Sequence, residues 1–338
     1  MTRRPAFLHA ALGAAVAMAF AVAGIEDAQA APDAVTYLLA APQTLPAYAP
    51  WVLAQAKGYY ADANLKMNFV TAQGGVDVAK QLGAGNALIG SATGDTSIIT
   101  RPNGVRVKTV ALLGTGQLLL LTVHHGSTAS SVQGLKGKTI SAMSYGDTTY
   151  YALLGSLHGA GLSKADVSIE AAGPAGVWQL FATNKVDAMA AVPDWVVSSE
   201  DAGAKTDILP PSPNFQSMAQ AIIASDDAIT HHADVVQRVV TATLRGVNDI
   251  IADPKAAAAA YVKAVPGYAG KEASIERVFE LYVKYVYGAA KVTGRTDPKR
   301  LEAVQNFYVK EGVVPKASAL GDLYTNQFAT GGNGSAAQ

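Results

Sequence analysis

The sequence predicts an α/β protein of two lobes, joined by two crossing strands, with a ligand cleft between them. Three observations predict it. Strand-like runs alternate with helical ones, and the alternation occurs twice along the chain; that pattern argues mostly parallel sheets covered on both faces by helices. Two apolar stretches, residues 118–123 and 218–224, stand where the pattern restarts and where it returns. The length, 338 residues of which 50% are apolar, fits two lobes of roughly 150 residues better than one body.

Val35 to Leu39 reads as the opening strand. Pro46 to Lys57 follows as a helix, with Trp51, Ala54 and Gln55 at helical spacing and Gly58 as its stop. Leu65 to Val70 is a strand, Val76 to Leu82 a short helix and Ala87 to Gly90 a short buried strand. A helix from Thr96 to about Thr100 ends at Pro102 and Gly104, and Val105 to Leu113 is again a strand. After the crossing strand Leu118 to Val123 the series resumes: Thr139 to Ala142, helix Thr148 to His158, strand Val167 to Glu170, helix Gly176 to Thr183, strand Asp187 to Val192, and a helical turn or two from Trp195 to Asp201. Pro210-Pro211-Ser212-Pro213 punctuates the chain before the returning strand Met218 to Ala224. The remainder is helical. His231 to Ile251 forms one long pattern, Asp253-Pro254 caps the next helix, Ser274 to Tyr287 is a third, and Asp297-Pro298 caps a fourth over Lys299 to Lys310. The expected lobes are therefore residues 31–121 with 220–330, and residues 122–219. Residues 331–338 are expected to be a disordered tail.

Residues 1–30 read as an address rather than as fold. Arg3 and Arg4 precede an apolar stretch from Ala10 to Ile25, and Ala28-Gln29-Ala30 matches a small-x-small cleavage site. The arginine pair leaves both ordinary secretion and the twin-arginine route open. Removing 30 of the 338 residues leaves 308. With no cysteine to carry lipid, a soluble periplasmic protein, cleaved and not a lipoprotein, is the expectation.

Charge excludes other classes. Lysine and arginine number 26 against 26 aspartates and glutamates, and charged residues are only 15% of the chain. A nucleic-acid binder would carry a basic surface. Cysteine is absent, which excludes disulfides, a thiolate nucleophile and thiolate-held metals. The six histidines add no metal site: neither His124-His125 nor His231-His232 has helical i,i+4 spacing or a carboxylate at ligand spacing. His158 falls inside a helix as a surface or packing residue. No phosphate-binding glycine fingerprint and no G-x-S-x-G elbow occurs, so no cofactor is expected.

Two strand-to-helix turns carry the expected site. Gly90-Ser91-Ala92-Thr93-Gly94-Asp95-Thr96 offers backbone N–H groups and hydroxyls beyond a strand end, and Met143-Ser144-Tyr145-Gly146-Asp147-Thr148-Thr149-Tyr150 does the same in the second lobe. Either alone could be ordinary helix capping; one in each lobe points to a small polar or anionic group between them. Aromatic residues at Tyr48, Tyr145, Trp51, Trp178, Trp195 and Phe215 suggest an aromatic-lined pocket. Arginines are scarce between residue 30 and Arg238, so a carboxylate clamp has only Arg101 to draw on.

These segments resemble the substrate-binding proteins of ABC importers for nitrate, taurine, alkanesulfonates and thiamine-pyrimidine precursors. The resemblance covers nearly all of the chain beyond residue 30. It rests on Gly90 to Thr96, on Leu135-Lys136-Gly137-Lys138-Thr139-Ile140, on Val186-Asp187-Ala188-Met189-Ala190-Ala191-Val192-Pro193-Asp194-Trp195, and on Phe307 to Pro315. It implies a type II periplasmic-binding-protein fold, a binding role without catalysis, and two partners, a small-molecule solute and an inner-membrane ABC permease, for a monomeric receptor. It implies a first ligand loop at Gln43, Thr44 and Tyr48. With the turns, the expected ligand contacts are Gln43, Thr44, Tyr48, Thr93, Asp95, Thr96, Ser144, Tyr145, Gly146, Asp147, Thr148, Asp194, Trp195 and Phe215.

Two departures turn the expected ligand away from a plain sulfonate. Val192-Pro193-Asp194-Trp195 stands where sulfonate binders carry Trp-Asp-Pro-Tyr, and Asp147 in the pocket would repel an anion. An aromatic or heterocyclic solute, with or without a sulfonate or carboxylate group, is expected. Two alternatives stand beside import: a receptor feeding a sensor system, and an exported enzyme acting on a small aromatic substrate with His124 or Asp95 as base. Fungal pyrimidine synthases share the lobe fold but need a cysteine-rich motif that this chain lacks.

Overall fold

The computed structural model describes residues 31–330; the expected export leader and the expected C-terminal tail lie outside the described residues. β1 (Asp33–Leu39) forms where Val35, Tyr37 and Leu39 alternate into the core. A turn at Pro46–Tyr48 leads into α1 (Ala49–Ala56), and Gly58, at φ +77°, starts the one-turn α2 (Tyr59–Asp62). β2 (Leu65–Thr71), α3 (Gly75–Gly83), β3 (Ile89–Thr93), α4 (Thr96–Thr100) and β4 (Val107–Leu112) complete the first series. β5 (Leu120–His124) then opens the second, with β6 (Thr139–Ala142), α5 (Thr148–Gly159), β7 (Ser168–Ala171), α6 (Gly173–Ala182), β8 (Ala188–Ala191), α7 (Pro193–Asp201) and β9 (Thr206–Ile208). β10 (Gln220–Ser225) returns, followed by α8 (Asp226–His231), α9 (Ala233–Ala252), α10 (Pro254–Ala264), α11 (Glu272–Tyr282) and α12 (Pro298–Lys310).

Two five-stranded sheets result, in the orders β2-β1-β3-β10-β4 and β7-β6-β8-β5-β9. Each is parallel but for one strand. β10 runs antiparallel to β3 and β4, and β5 antiparallel to β8 and β9. The reversed strand is in each case the one that arrives from the other sheet, so the chain crosses twice. This is the two-lobed arrangement of the type II periplasmic-binding fold. α1 packs on α9 and α10, and α11 packs on both α10 and α7, so the C-terminal helices sit against the first sheet's α1 and reach α7 of the second. Among the described residues no helix is long and apolar enough to cross a membrane.

Several elements differ from expectation. The short strand expected at 87–90 is β3, which runs on to Thr93, so Ser91 and Thr93 project from a strand and not from a loop. The long helix expected from His231 is broken at His232, whose φ and ψ of −130° and 32° are not helical, and Ser225 caps α8 through its hydroxyl oxygen. The helix expected to reach Tyr287 ends at Tyr282 and widens into a π-type turn over Val283–Tyr287 before Gly288. β9 and α2 are unanticipated; each is too short to carry a period of its own.

The crossings are narrow because glycine permits it. A side chain at Gly114 or Gly116 would collide with the backbone of Val286 or Tyr285. Instead Gly116 N–H donates to Val286 O at 2.9 Å and Gln117 N–H to Tyr285 O at 2.9 Å. The π-type turn therefore grips the first crossing, and such turns recur where function needs a locally altered helix.

Candidate functional site

The C-terminal ends of β3, β6 and β8 and the first residue of β10 meet at one cavity of about 50 Å³. From the side of the first sheet it is lined by Ala40 and Ala41 after β1, by Leu45, Ala47 and Tyr48 of the turn before α1, by Ser91, Ala92 and Thr93 of β3, and by Leu118 and Gln220 on the two crossings. From the second sheet come Met143, Asp147, Thr148 and Thr149 at the start of α5, and Val192, Asp194 and Trp195 at the start of α7. Prolines place the helix starts. Pro193 at the first turn of α7, and Pro46 and Pro50 around the start of α1, supply a preset φ where no backbone donor is needed.

No lysine or arginine lines this cavity, and two carboxylates do. Asp147 caps α5: one oxygen accepts from Thr149 N–H at 2.9 Å and from the Thr149 hydroxyl. Its other oxygen lies 3.4 Å from Gly75 N, at the start of α3 across the cleft. Asp194 is 2% exposed, and Tyr282 hydroxyl donates to its Oδ1 at 3.1 Å. Burial pushes its carboxyl up to about 6; its own backbone, Tyr282 and the Ala47 backbone pull it back only in part. Gln220 spends its amide on Ala47 O at 3.1 Å. Its Oε1 and the Trp195 Nε1 are buried without a partner in the protein. The lining thus carries carboxylates on Asp194 and Asp147, an amide on Gln220 and an indole N–H on Trp195, between apolar walls. Such a set orients the polar edge of a flat molecule.

Of the residues singled out in the sequence, Tyr48, Thr93, Asp147, Thr148, Asp194 and Trp195 come together here. The others do not line the cavity. Asp95 and Thr96 are fully buried behind it; Asp95 accepts from Thr93 hydroxyl at 2.5 Å and from Tyr308 hydroxyl at 2.7 Å, and burial raises its carboxyl. Its lone pairs are taken by the scaffold. Phe215 is core, packed on Phe307 and Tyr308. Tyr145 is 52% exposed and donates to Ile169 O at 3.0 Å, because the turn before α5 points its ring outward. Ser144, Gly146 and Gln43 are likewise outside the lining, whereas Thr44 borders the outer groove described next. Trp51 is fully buried against Tyr37 and Tyr48. Arg101 is engaged by Asp226 at 2.8 Å and Asp322 at 2.9 Å. His124 stacks on Phe181 at 3.9 Å and is not part of this cavity's lining. Among the described residues no cluster of three histidines, aspartates or glutamates could hold a metal.

Ser91, Met143 and Thr149 belong to the two turns singled out in the sequence without being named as contacts, and sequence reasoning missed Gln220. Period-two alternation along β3 and β10 could have placed Ser91 and Gln220 on a face, but which face meets the cleft is a tertiary fact. A larger groove of about 540 Å³ adjoins the cavity and shares Leu45, Asp194 and Trp195 with it.

Comparison with known proteins gives three findings. A family model described as NMT1/THI5 like matches residues 45–257. The chain is 24% identical over 298 residues to the riboflavin-binding protein RibY of Chloroflexus aurantiacus, covering 85% of this chain and 83% of that one. Among solved structures, the periplasmic aliphatic sulphonate binding protein SsuA from Escherichia coli superposes with a TM-score of 0.67 at 16% identity, over 91% of this chain and 96% of that one. The alkanesulfonate-binding protein SsuA from Xanthomonas axonopodis pv. citri, bound to MOPS, gives 0.69 at 19% identity, over 88% and 99%.

Proposed function

The chain belongs to the NMT1/THI5-like family, and on that premise we propose that it is a receptor for an uncharged nitrogen heterocycle of the flavin type. Its general role is that of an extracytoplasmic solute-binding receptor serving an ABC importer, with a small-molecule ligand and a permease as partners; it is not an enzyme. One observation carries the ligand class: the cavity holds two carboxylates, hydroxyls and aromatic rings, with no lysine or arginine in its lining. An anion there would meet Asp147 and Asp194 with nothing to offset its charge. A ring edge bearing N–H and C=O groups would instead find acceptors in Asp194 and Gln220 and a donor in Trp195 Nε1. The relative named for riboflavin supports the same chemistry, and riboflavin is the first ligand to try.

In this reading Tyr48, Thr93, Asp147, Thr148, Asp194 and Trp195 contact the solute. The lobes are residues 31–121 with 220–330, and residues 122–219. On the same proposal residues 1–30 act as a cleavable leader and the receptor is released as a monomer.

The test is a titration of riboflavin, followed by quenching of its own fluorescence, beside thermal-shift measurements with riboflavin, taurine and MOPS. Riboflavin at about a hundredfold over its Kd should stabilise the protein by roughly 2.7 kcal/mol, and the sulfonates should leave the midpoint unchanged. A midpoint raised by the sulfonates alone overturns the reading.

A further inference from the structure

We propose that the outer groove is a second subsite of the same receptor, taking a flexible hydroxylated chain carried by the ring whose edge enters the inner cavity. The proposal rests on the ligand reading above and goes beyond it in saying where the rest of the molecule lies. Size is the first argument. The inner cavity is about 50 Å³. It is the smaller of the two spaces, so most of a solute that spans both lies outside it. The outer groove, at about 540 Å³, is roughly ten times larger.

Continuity is the second argument. Leu45, Asp194 and Trp195 line both spaces, so the two adjoin at these shared side chains. Trp195 is only 4% exposed, yet its Nε1 has no partner in the protein. A buried indole N–H without a partner, on a residue that lines both spaces, is a donor free for a ligand that reaches it.

Chemistry is the third. Among the prolines and aliphatic side chains of the groove, Trp178 and Tyr268 contribute aromatic rings, and Ser198, Ser274, Asp201 and Lys271 contribute hydroxyl, carboxylate and ammonium groups. Ser274 hydroxyl already donates to Asp201 Oδ1 at 3.1 Å, a bond that ligand hydroxyls can join or replace at little cost. Each hydroxyl of a polyol both donates and accepts, and its carbons are apolar, which suits a wall that mixes these polar groups with apolar ones. The rim is fixed as well, since Tyr261 hydroxyl donates to Thr44 O at 2.6 Å and α11 packs on α7.

The experiment compares two flavins on the purified chain: riboflavin, and lumichrome, which has a related ring system without the hydroxylated chain. Fluorescence titration of the parent should give riboflavin an advantage of about tenfold or more, because the chain adds contacts in the groove. S274W, which fills the groove from α11, should bring the ratio of the two Kd values to about one. If S274W does not melt cooperatively, A202F, which fills the groove from the exposed end of α7, is read in its place. Equal affinities for both flavins in the parent, or an advantage that survives the filling variant, overturns the second subsite alone. Binding of neither flavin overturns the ligand reading, and the second subsite falls with it.

Discussion

Asp194 is a buried carboxylate at the start of α7 with no cation beside it, and its position has a pH consequence. Burial moves its carboxyl from an ordinary 3.8 up to about 6, so the fold prefers the protonated form. The stabilisation this gives is complete below about pH 4 and is lost as pH rises through about 6. A shift of about two units corresponds to roughly 3 kcal/mol above that range. Asp95, also raised by burial, acts in the same direction. Asp166, Asp187, Asp207 and Asp234 are held low by hydrogen bonds and ion pairs, and they oppose it only as pH falls through their own low values. The ligand-free protein should therefore melt higher at pH 5 than at pH 7.5. D194N should flatten that difference and gain about 1–3 kcal/mol at pH 7.5, a rise of several degrees in Tm. A thermal-melt series from pH 4.5 to 8 decides it: an unchanged pH profile in D194N would show that this carboxylate is not the group responsible. The same variant should bind the heterocycle more weakly, because the acceptor for its N–H is halved. Asp194 is visible in the sequence through the resemblance of Val186 to Trp195 to the family's strand and cleft loop. Tyr145 is equally conspicuous there and turns out to face solvent, since nothing in a turn's composition fixes which way one ring points.

α12 ties the two crossings between the lobes together through one side chain. Arg300 donates to the carbonyls of Thr115 and Gly116 on the first crossing, at 2.7 Å for Gly116, and to Ser217 O before the second at 2.5 Å. One guanidinium thus ties both crossings together. Eight residues on, Tyr308 donates to Asp95 at 2.7 Å behind β3, and its ring stacks on Phe215, which abuts α5 at Gly155. R300M keeps the apolar stem but leaves three backbone carbonyls without their donor. It should lower the free energy of unfolding by about 3 kcal/mol. Urea unfolding measures this; a loss under about 0.5 kcal/mol would mean that solvent replaces the clip, as at an ordinary surface site. The alternating strands and helices, and both crossings, are legible in sequence because apolar runs and proline or glycine stops are local signals. The clip is not. Arg300 sits two residues inside a helix whose own pattern gives no hint of carbonyls some 80 and 185 positions away. β9 is hidden for a related reason: Thr206-Asp207-Ile208 is a strand only because β5 offers it backbone partners.

At the scale of the whole molecule the described conformation is a closed one, and glycine sets how closely it shuts. Gly74, at φ +101°, and Gly75 begin α3 with no side-chain cap of their own on that lobe. Asp147 approaches Gly75 N from the other lobe, and a Cβ on Gly75 would lie 2.8 Å from Thr148 Oγ1 and 3.0 Å from Thr148 Cγ2. Closure therefore needs a bare backbone at this point. G75V adds bulk that Thr148 cannot yield to without moving α5, yet Gly75 has an ordinary negative φ, so the open lobes can accept valine without backbone strain. The variant should still fold, losing about 1–2 kcal/mol in the open form to the contact with Ala92 Cβ at 3.3 Å on its own lobe, since the closest contacts lie across the cleft. A ligand must bind the closed state better than the open one to shift the balance, and a lobe that cannot shut forfeits the contacts made from Asp147 and Thr148. Riboflavin affinity in G75V should fall by about tenfold or more. Small-angle scattering supplies the second reading: the parent's radius of gyration should contract on adding ligand, and that of G75V should not. Contraction of G75V to the parent's value with undiminished affinity would show that the cleft closes along a path that does not bring Gly75 against Thr148.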